Sequence, residues 1–188
     1  MFTLCIGHFF HILSVYRIFF AVLLCVSLLP AAAAQSKGSV TEGPNKTQVV
    51  VSGNEGARNF QARWGYAPAV RAGDLIVMSG LIAGPAPDDG IDAEAFKRSL
   101  RGAFTQMKQD LAVLGASLED VIRINSYHVW NSKFFDGDKV AHMEAVRDVK
   151  QEFMGSATPA WTAIGVSELF TESGLVEIEL TVYSPQKR

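Results

Sequence analysis

Two stretches near the C terminus carry side chains that could do chemistry. Trp161 lies in the segment Thr158-Pro159-Ala160-Trp161-Thr162, and Glu177 alternates with apolar residues in Val176-Glu177-Ile178-Glu179. An indole offers one neutral N–H donor and a large apolar face, so Trp161 could stack on a flat ligand or pack at a subunit interface. Glu177 is either a functional acid or a residue that faces solvent on a strand. These residues therefore offer one candidate acid and one candidate stacking surface.

Further candidates lie elsewhere in the chain. Ser79 and Gly80 follow an apolar run, and we interpret the pair as a backbone requirement rather than a nucleophile, because no Ser-His-acid pattern is apparent. Tyr66 is either a cleft residue or a core aromatic residue. His128 and His142 have no cysteine and no repeated ligand spacing around them, so we predict no metal site and no cofactor.

A small set of predicted strands and helices must position these residues. In chain order, the elements are strands 67–71 and 74–79, helix 92–114, strand 121–130, helix 138–154, and strands 161–166 and 175–183. Ala72-Gly73 joins the first two strands, which predicts a hairpin. Apolar residues at spacings of three and four predict the helices. Asp92 can cap the first helix, and Gly115 can end it.

The element order β-β-α-β-α-β-β predicts an α+β domain of two layers, with a mixed sheet and two helices on one face. Strands 121–130 and 176–182 carry apolar residues at both odd and even positions, so apolar side chains lie on both faces of the sheet and both faces must be buried. No remaining segment of the chain is large enough to cover the second face. We therefore predict that the chain forms an oligomer through its sheet.

Residues 1–34 contain no acidic residue and one basic residue, Arg17, which precedes an apolar run that ends in Pro30 and four alanines. This pattern predicts a secretory signal peptide, so the mature protein would be periplasmic or secreted, without stable membrane association. An uncleaved membrane anchor is the alternative, because residues 2–29 approach the roughly 20 apolar residues that span a bilayer. The long lead before Arg17 also leaves open a start codon further in.

The mature chain is predicted to begin with a flexible segment, residues 35–58, rich in Ser, Gly, Lys, Asn and Thr, with one strand over residues 48–52. A single domain over residues 59–188 follows. Both cysteines, Cys5 and Cys25, lie within the predicted signal peptide, so the exported domain would have no thiol. Loss of Arg17 leaves 16 basic residues against 19 acidic ones, an acidic balance that argues against a nucleic-acid partner.

Several segments, in order and at workable spacing, resemble the Rid family (reactive intermediate deaminases, also called YjgF-type or L-PSP endoribonuclease-like proteins). The resemblance spans about residues 66–183. Its matching segments are Tyr66-Ala67-Pro68-Ala69-Val70, residues 73–80, residues 114–121, Pro159-Ala160 and Val176-Glu177-Ile178-Glu179. It implies a chorismate-mutase-like fold assembled as a homotrimer, with three ligand clefts between neighbouring subunits.

The resemblance also implies an activity of the 2-iminobutanoate/2-iminopropanoate deaminase type, in which enamines and imines are hydrolysed to a 2-keto acid and ammonia. By matching positions, Tyr66 lines the cleft, Ser79 and Gly80 bring a hydroxyl and backbone groups to the substrate, and Glu177 positions the water or relays a proton. Trp161 takes the place of an arginine that anchors the substrate carboxylate. Loss of that anchor, about 3 kcal/mol, predicts a substrate other than the usual 2-aminoacrylate type.

The other departures from the family pattern also fall on the ligand site. Ala163 stands where many members place a cysteine, and Val146 falls near the position of an asparagine. Arg63, Arg71 or Arg147 could replace the missing anchor from another direction.

Two functions of this small-molecule site stay open. One is an imine hydrolase with a changed substrate, and the other is a non-catalytic trimeric protein that binds an uncharged or aromatic metabolite in the same clefts. Ribonuclease activity, attributed to some relatives, is disfavoured by the acidic balance and the export signal.

Overall fold

The computed structural model of the chain describes residues 36–86 and 88–186, so the predicted signal peptide lies outside the described residues. The strands are β1 (Ser39–Glu42), β2 (Gln48–Val51), β3 (Ala69–Ala72), β4 (Leu75–Met78), β5 (Leu81–Ala83), β6 (Val121–His128), β7 (Ala160–Gly165) and β8 (Val176–Tyr183). The helices are α1 (Glu55–Trp64), α2 (Ala93–Val113) and α3 (Lys139–Met154). No helix in the described ranges has the length and apolarity needed to cross a membrane.

The strands form one mixed sheet in the order β1-β2-β3-β4-β8-β6-β7, and β5 also pairs with β8. Strands β6 and β7 run parallel, because α3 carries the chain back across the sheet between them. The neighbouring pairs, including β3 with β4 and β8 with β6, are antiparallel. Helices α2 and α3 pack on the sheet around a common apolar core. This architecture confirms the predicted α+β class.

Local capping chemistry sets the helix boundaries. Asp92 Oδ1 accepts a hydrogen bond from the backbone N–H of Ala95 at 2.8 Å, and Asp138 Oδ1 accepts one from Ala141 at 2.8 Å. Gly115, with φ of 72°, follows the end of α2 in the left-handed region that glycine favours. The spacing seen in the sequence therefore places one apolar face of α2 in the core, with these fully buried side chains: Phe96, Leu100, Phe104, Met107 and Leu111.

The segment 35–58 carries regular structure where the composition predicts flexibility. Strands β1 and β2 form a hairpin that extends the sheet beside β3, and α1 begins inside the segment. Asn54 caps α1, because its Oδ1 accepts a hydrogen bond from the Ala57 N–H at 2.9 Å. No residue of α1 is buried, and all of β1 is exposed. Ala57, Phe60 and Trp64 recur at spacings of three and four along α1, but Phe60 and Trp64 are exposed, so this apolar face does not point into the core of the chain.

The sheet face opposite the helices carries exposed apolar side chains. Val77 is 58% exposed, Tyr183 is 49% exposed and Ile164 is 46% exposed. In β4 and β8, which hold Val77 and Tyr183, alternate residues are buried in the core. Exposed apolar side chains on one sheet face favour association with another protein surface.

Candidate functional site

Three of the predicted site residues, Tyr66, Ser79 and Gly80, line one cavity of about 70 Å³. The cavity lies where α1, the junction between β4 and β5, and α2 meet. The remaining lining residues are Ser52, Ala57, Gln61, Pro68, Leu81, Gln106 and Asp110. The fold thus brings together residues that are up to 58 positions apart in the sequence, from Ser52 to Asp110.

Backbone contacts hold Ser79 in place. Its hydroxyl donates to the carbonyl oxygen of Ala67 at 2.7 Å, and its N–H donates to the carbonyl oxygen of Pro68 at 2.9 Å. A nucleophilic hydroxyl would instead be bonded to a general base. The geometry therefore agrees with a structural interpretation of Ser79-Gly80.

Glu177 lies beside this cavity, with its carboxylate against Gly80. A Cβ added at Gly80 would overlap the Glu177 carboxylate, so the glycine makes room for the acid. Strand β8 holds Glu177 between Ile82 of β5 and Tyr127 of β6. Burial raises the pKa of Glu177, and the charge of Glu179 raises it further. A raised pKa brings this carboxyl group closer to the pH at which a general acid or base works.

Glu179, two residues further along β8, has partners of its own. Tyr127 Oη donates to Glu179 Oε2 at 3.2 Å, and Asn125 Nδ2 donates to the same oxygen at 3.5 Å. The charge of Glu179 is the largest cause of the raised pKa of Tyr127. Glu179 thus belongs to a polar network across the sheet, whereas Glu177 is directed to Gly80.

Trp161 lies away from this cavity, on the helix-facing side of the sheet. Its neighbour in β6 is Ile124, which is 2% exposed, and the indole packs against the core. Its Nε1–H donates to Ser126 Oγ at 2.8 Å. Within one chain, Trp161 and Glu177 therefore lie on opposite faces of the sheet. The one donor of the indole is already bonded, which leaves the ring face for contact with a ligand.

Ser126 begins a buried polar chain that the sequence analysis missed. Ser126 Oγ lies 2.7 Å from His128 Nε2, and His128 Nδ1 lies 3.1 Å from His142 Nε2. Burial lowers the pKa of His128 to about 3, with a further contribution from His142. Burial also lowers the pKa of His142 to about 4, so both rings are neutral at pH 7. Ile124, Ser126 and His128 follow one another at a spacing of two residues in one strand. This spacing indicates that their side chains lie on the same face of the sheet.

Metal binding finds no support in the described part of the chain, where no group of three or more His, Cys, Asp or Glu side chains could hold an ion.

The three arginines considered as replacement anchors are engaged elsewhere. Arg71 is buried and donates to three backbone carbonyls. Arg147 pairs with Asp148 at 2.7 Å. The guanidinium of Arg63 lies 5.4 Å from the centre of the Trp64 ring. Their arrangement therefore provides no evident substitute for the family arginine at the cavity.

Asp110 on α2 is a candidate that the sequence analysis missed. It is 3% exposed, lines the cavity with Tyr66, and accepts a hydrogen bond from Gln106 Nε2 at 3.0 Å. Burial raises the pKa of Asp110, against the opposing effect of the Gln106 bond. The pKa of Tyr66 is raised by burial first, then by the charges of Asp110 and Glu177. The sequence signal was an acid next to Leu111 on the apolar face of a helix, because acids are rarely buried unless paired.

Comparison with known proteins identifies the family. Residues 56–184 match the family model described as Endoribonuclease L-PSP. The chain belongs to this family, also known as the YjgF/Rid family. The predicted resemblance is thereby confirmed.

Sequence alignments of this Rid-family chain with two relatives extend over most of its described residues. The RutC family protein YjgH of Escherichia coli is 31% identical over 115 residues, 61% of this chain and 80% of YjgH. A 2-iminobutanoate/2-iminopropanoate deaminase of Dermatophagoides farinae is 31% identical over 117 residues, 62% of this chain and 84% of the deaminase.

Solved structures lead to the same fold. Rv2704 of Mycobacterium tuberculosis, a member of the YjgF/YER057c/UK114 family, superposes with a TM-score of 0.55 at 28% identity. The match covers 73% of this chain and 98% of Rv2704. The solved structure of protein YjgH gives a TM-score of 0.52 at 29% identity, over 68% of this chain and 89% of YjgH. The Rid-family chain therefore has the predicted chorismate-mutase-like fold.

Proposed function

We propose that the protein is an exported Rid-family hydrolase that converts reactive enamine or imine metabolites to a carbonyl compound and ammonia. The observation that carries the proposal is the Glu177 carboxylate, which lies against Gly80 beside the cavity lined by Tyr66 and Ser79. A carboxyl group with a raised pKa can exchange a proton with a bound substrate or water. Similarity to an imine deaminase supports the reaction class. Export is proposed from the N-terminal sequence pattern alone.

In the proposed reaction, water adds to the carbon of a protonated imine while the Glu177 carboxylate accepts one proton of that water, which gives a neutral amino alcohol. Glu177 then returns this proton to the nitrogen, the C–N bond breaks and ammonia leaves, and the hydroxyl proton passes to the Glu177 carboxylate as the carbonyl forms. An enamine first takes a proton on carbon, which the acid form of Glu177 can donate. Because the pKa of Tyr66 is raised, its hydroxyl stays protonated at neutral pH and can donate a hydrogen bond to the reacting groups.

We also propose a homotrimer, in which the exposed sheet face is covered by neighbouring subunits. The exposed side chains of Val77, Ile164 and Tyr183 support this assembly, because burying them is favourable. Light scattering should give about three times the 20.4 kDa mass of one full-length chain, less any cleaved signal peptide. A monomer at micromolar concentration would contradict the trimer.

One observation favours a second function, a non-catalytic trimeric protein that binds a small molecule in the same clefts. Trp161 stands in place of the anchoring arginine, and its N–H is donated to Ser126. Such a site would hold an uncharged or aromatic molecule through the indole face rather than a carboxylate.

Release of carbonyl compound and ammonia from enzymatically generated 2-aminoacrylate and from carboxylate-free imines distinguishes the two functions. The hydrolase predicts release faster than buffer for at least one imine, and loss of that rate in Glu177→Gln. Glu172→Gln is the matched control, because it removes an exposed glutamate paired with Lys133. Release at the buffer rate for every imine, with saturable binding, would favour the binding protein. Activity on 2-aminoacrylate that appears only in Trp161→Arg would show that the arginine decides the substrate class.

A further inference from the structure

The cavity beside Glu177 has an acidic lining. Of its ten lining residues in the described chain, Asp110 is an acid and none is Lys or Arg. Asp110 Oδ1 accepts a hydrogen bond from Gln106, while Oδ2 has no hydrogen-bond partner among the described residues. Asp110 is 97% buried and lines both this cavity and a neighbouring one of about 520 Å³, so its carboxylate lies in a wall that a ligand can reach. A buried carboxylate without a full set of partners favours a positively charged or N–H-donating group.

No Lys or Arg forms an ion pair with Asp110 among the described residues, although Lys37 lines the neighbouring cavity with it. Arg58 on α1 donates to the carbonyl oxygens of Ser52 at 3.0 Å and Gly53 at 2.9 Å. Its guanidinium is therefore held by backbone at the edge of the cavity. Since Asp110 has no paired cation, its ionised form would repel a substrate carboxylate that entered the cavity.

Tyr66 connects the cavity to an exposed aromatic cluster formed with Phe60, Trp64 and Phe170. Its ring lies edge-on to that of Phe60 at 6.1 Å, and the rings of Trp64 and Phe170 lie 5.3 Å apart. Phe170 is 65% exposed and Trp64 is 52% exposed. Aromatic faces attract organic cations through their quadrupoles. The acid in the cavity wall and the aromatic rings that adjoin Tyr66 therefore favour the same kind of ligand.

We propose that this cavity binds an organic cation, a protonated imine or amine without a carboxylate, with Asp110 as its counter-ion. Tyr66 contacts the hydrocarbon part of the ligand. The inference rests on the proposed function only for the identity of the reacting group, since a stable amine would occupy the same site. At about 10–15 Å³ for each water-sized group, a 70 Å³ cavity takes about five to seven such groups, which is enough for a five-membered cyclic amine.

Calorimetric titration of the purified full-length chain with pyrrolidine and with L-proline tests the inference. The two probes share a cationic five-membered ring, and proline adds a carboxylate. We expect pyrrolidine to bind more tightly than proline. Asp110→Asn keeps the shape and the Gln106 contact, and should weaken pyrrolidine binding by about 10- to 100-fold, the value of a charged hydrogen bond. Asp89→Asn, which neutralises an exposed acid in the loop before α2, is the matched control and should bind like wild type.

Tighter binding of proline than of pyrrolidine would overturn the inference, and this comparison needs only the wild-type chain. Equal pyrrolidine affinity in wild type and a folded Asp110→Asn variant would also overturn it. The outcome of this binding test is independent of the outcome of the hydrolysis test. Pyrrolidine binding that depends on Asp110, without hydrolysis of any imine, supports the cation site and refutes the hydrolase. Hydrolysis of 2-aminoacrylate by wild type, with tighter binding of proline, refutes the cation site and supports the hydrolase.

Discussion

The buried pair His128 and His142 predicts that mild acid destabilises the fold. Burial lowers their pKa values to about 3 and about 4, whereas a histidine in an unfolded chain titrates near 6.5. Below pH 6.5 the unfolded chain therefore binds protons that the folded chain does not. Stability that these histidines contribute above pH 6.5 is lost as the pH falls toward their folded-state pKa values.

The size of the effect follows from the distance between the pH and the unfolded pKa. At about pH 5.5, one unit below 6.5, each histidine costs the folded state about 1.4 kcal/mol relative to pH 8, or about 3 kcal/mol for the pair. Both folded-state pKa values lie well below 5.5, so the loss is governed by the unfolded chain. The raised pKa values of Glu177 and Asp110 act in the opposite direction, because these groups bind protons more readily when folded. A variant of the pair is needed to isolate its contribution.

Urea unfolding at fixed protein concentration, between about pH 8 and about pH 5.5, measures this loss. His142→Gln leaves His128 a hydrogen-bonding partner and removes one titrating ring. Its stability loss over that range should be smaller than that of wild type by about 1.4 kcal/mol. An equal loss in the variant and the wild type, that is, a stability difference between the two proteins that does not change with pH, would refute the reasoning.

Three further predictions concern the site. Gly80→Ala should lower kcat/KM for an imine by at least about tenfold, because the added Cβ displaces the Glu177 carboxylate. Gly102→Ala, which adds a methyl group in open space on α2, is the control and should keep full activity. The hydrolysis rate should fall as the pH drops through the raised pKa of Glu177, since its base form is lost, and a pH–rate profile of Glu177→Gln should lack this limb. Trp161→Phe should lower the free energy of unfolding by about 1–2 kcal/mol in urea titrations, because Ser126 loses its donor; an unchanged value would show that the bond contributes nothing.

Much of the fold was predictable because it depends on local rules. Apolar spacing located α2 and α3, and the acids Asp92 and Asp138 cap them. The family could also be predicted, since motifs such as Tyr66 and Ser79-Gly80 occur in order along the chain. Helix α1 was missed although Ala57, Phe60 and Trp64 recur at helical spacing, because its first turn follows Gly53-Asn54 and contains Gly56, a composition typical of a loop.

The site could be predicted only in part. Sequence patterns identified Tyr66, Ser79, Gly80 and Glu177 as candidates, but they did not indicate that Asp110 of α2 joins the first three around one cavity. That association depends on how a helix packs against a strand junction about 30 residues away. Local periodicity carries no information about such a contact.

Taken alone, the sequence of this protein determines its family and its α+β class, because both are a matter of residue type and order, and it predicts that Trp161 takes the place of the family's anchoring arginine. Only the tertiary structure shows where the Trp161 side chain lies. Alternation in a strand leaves two possible faces for a side chain, and packing against the core selects the face on which the indole donates to Ser126, opposite the face of Glu177. The burial of Asp110 is likewise a tertiary property, because only the packing of α2 against the strand junction removes this acid from water.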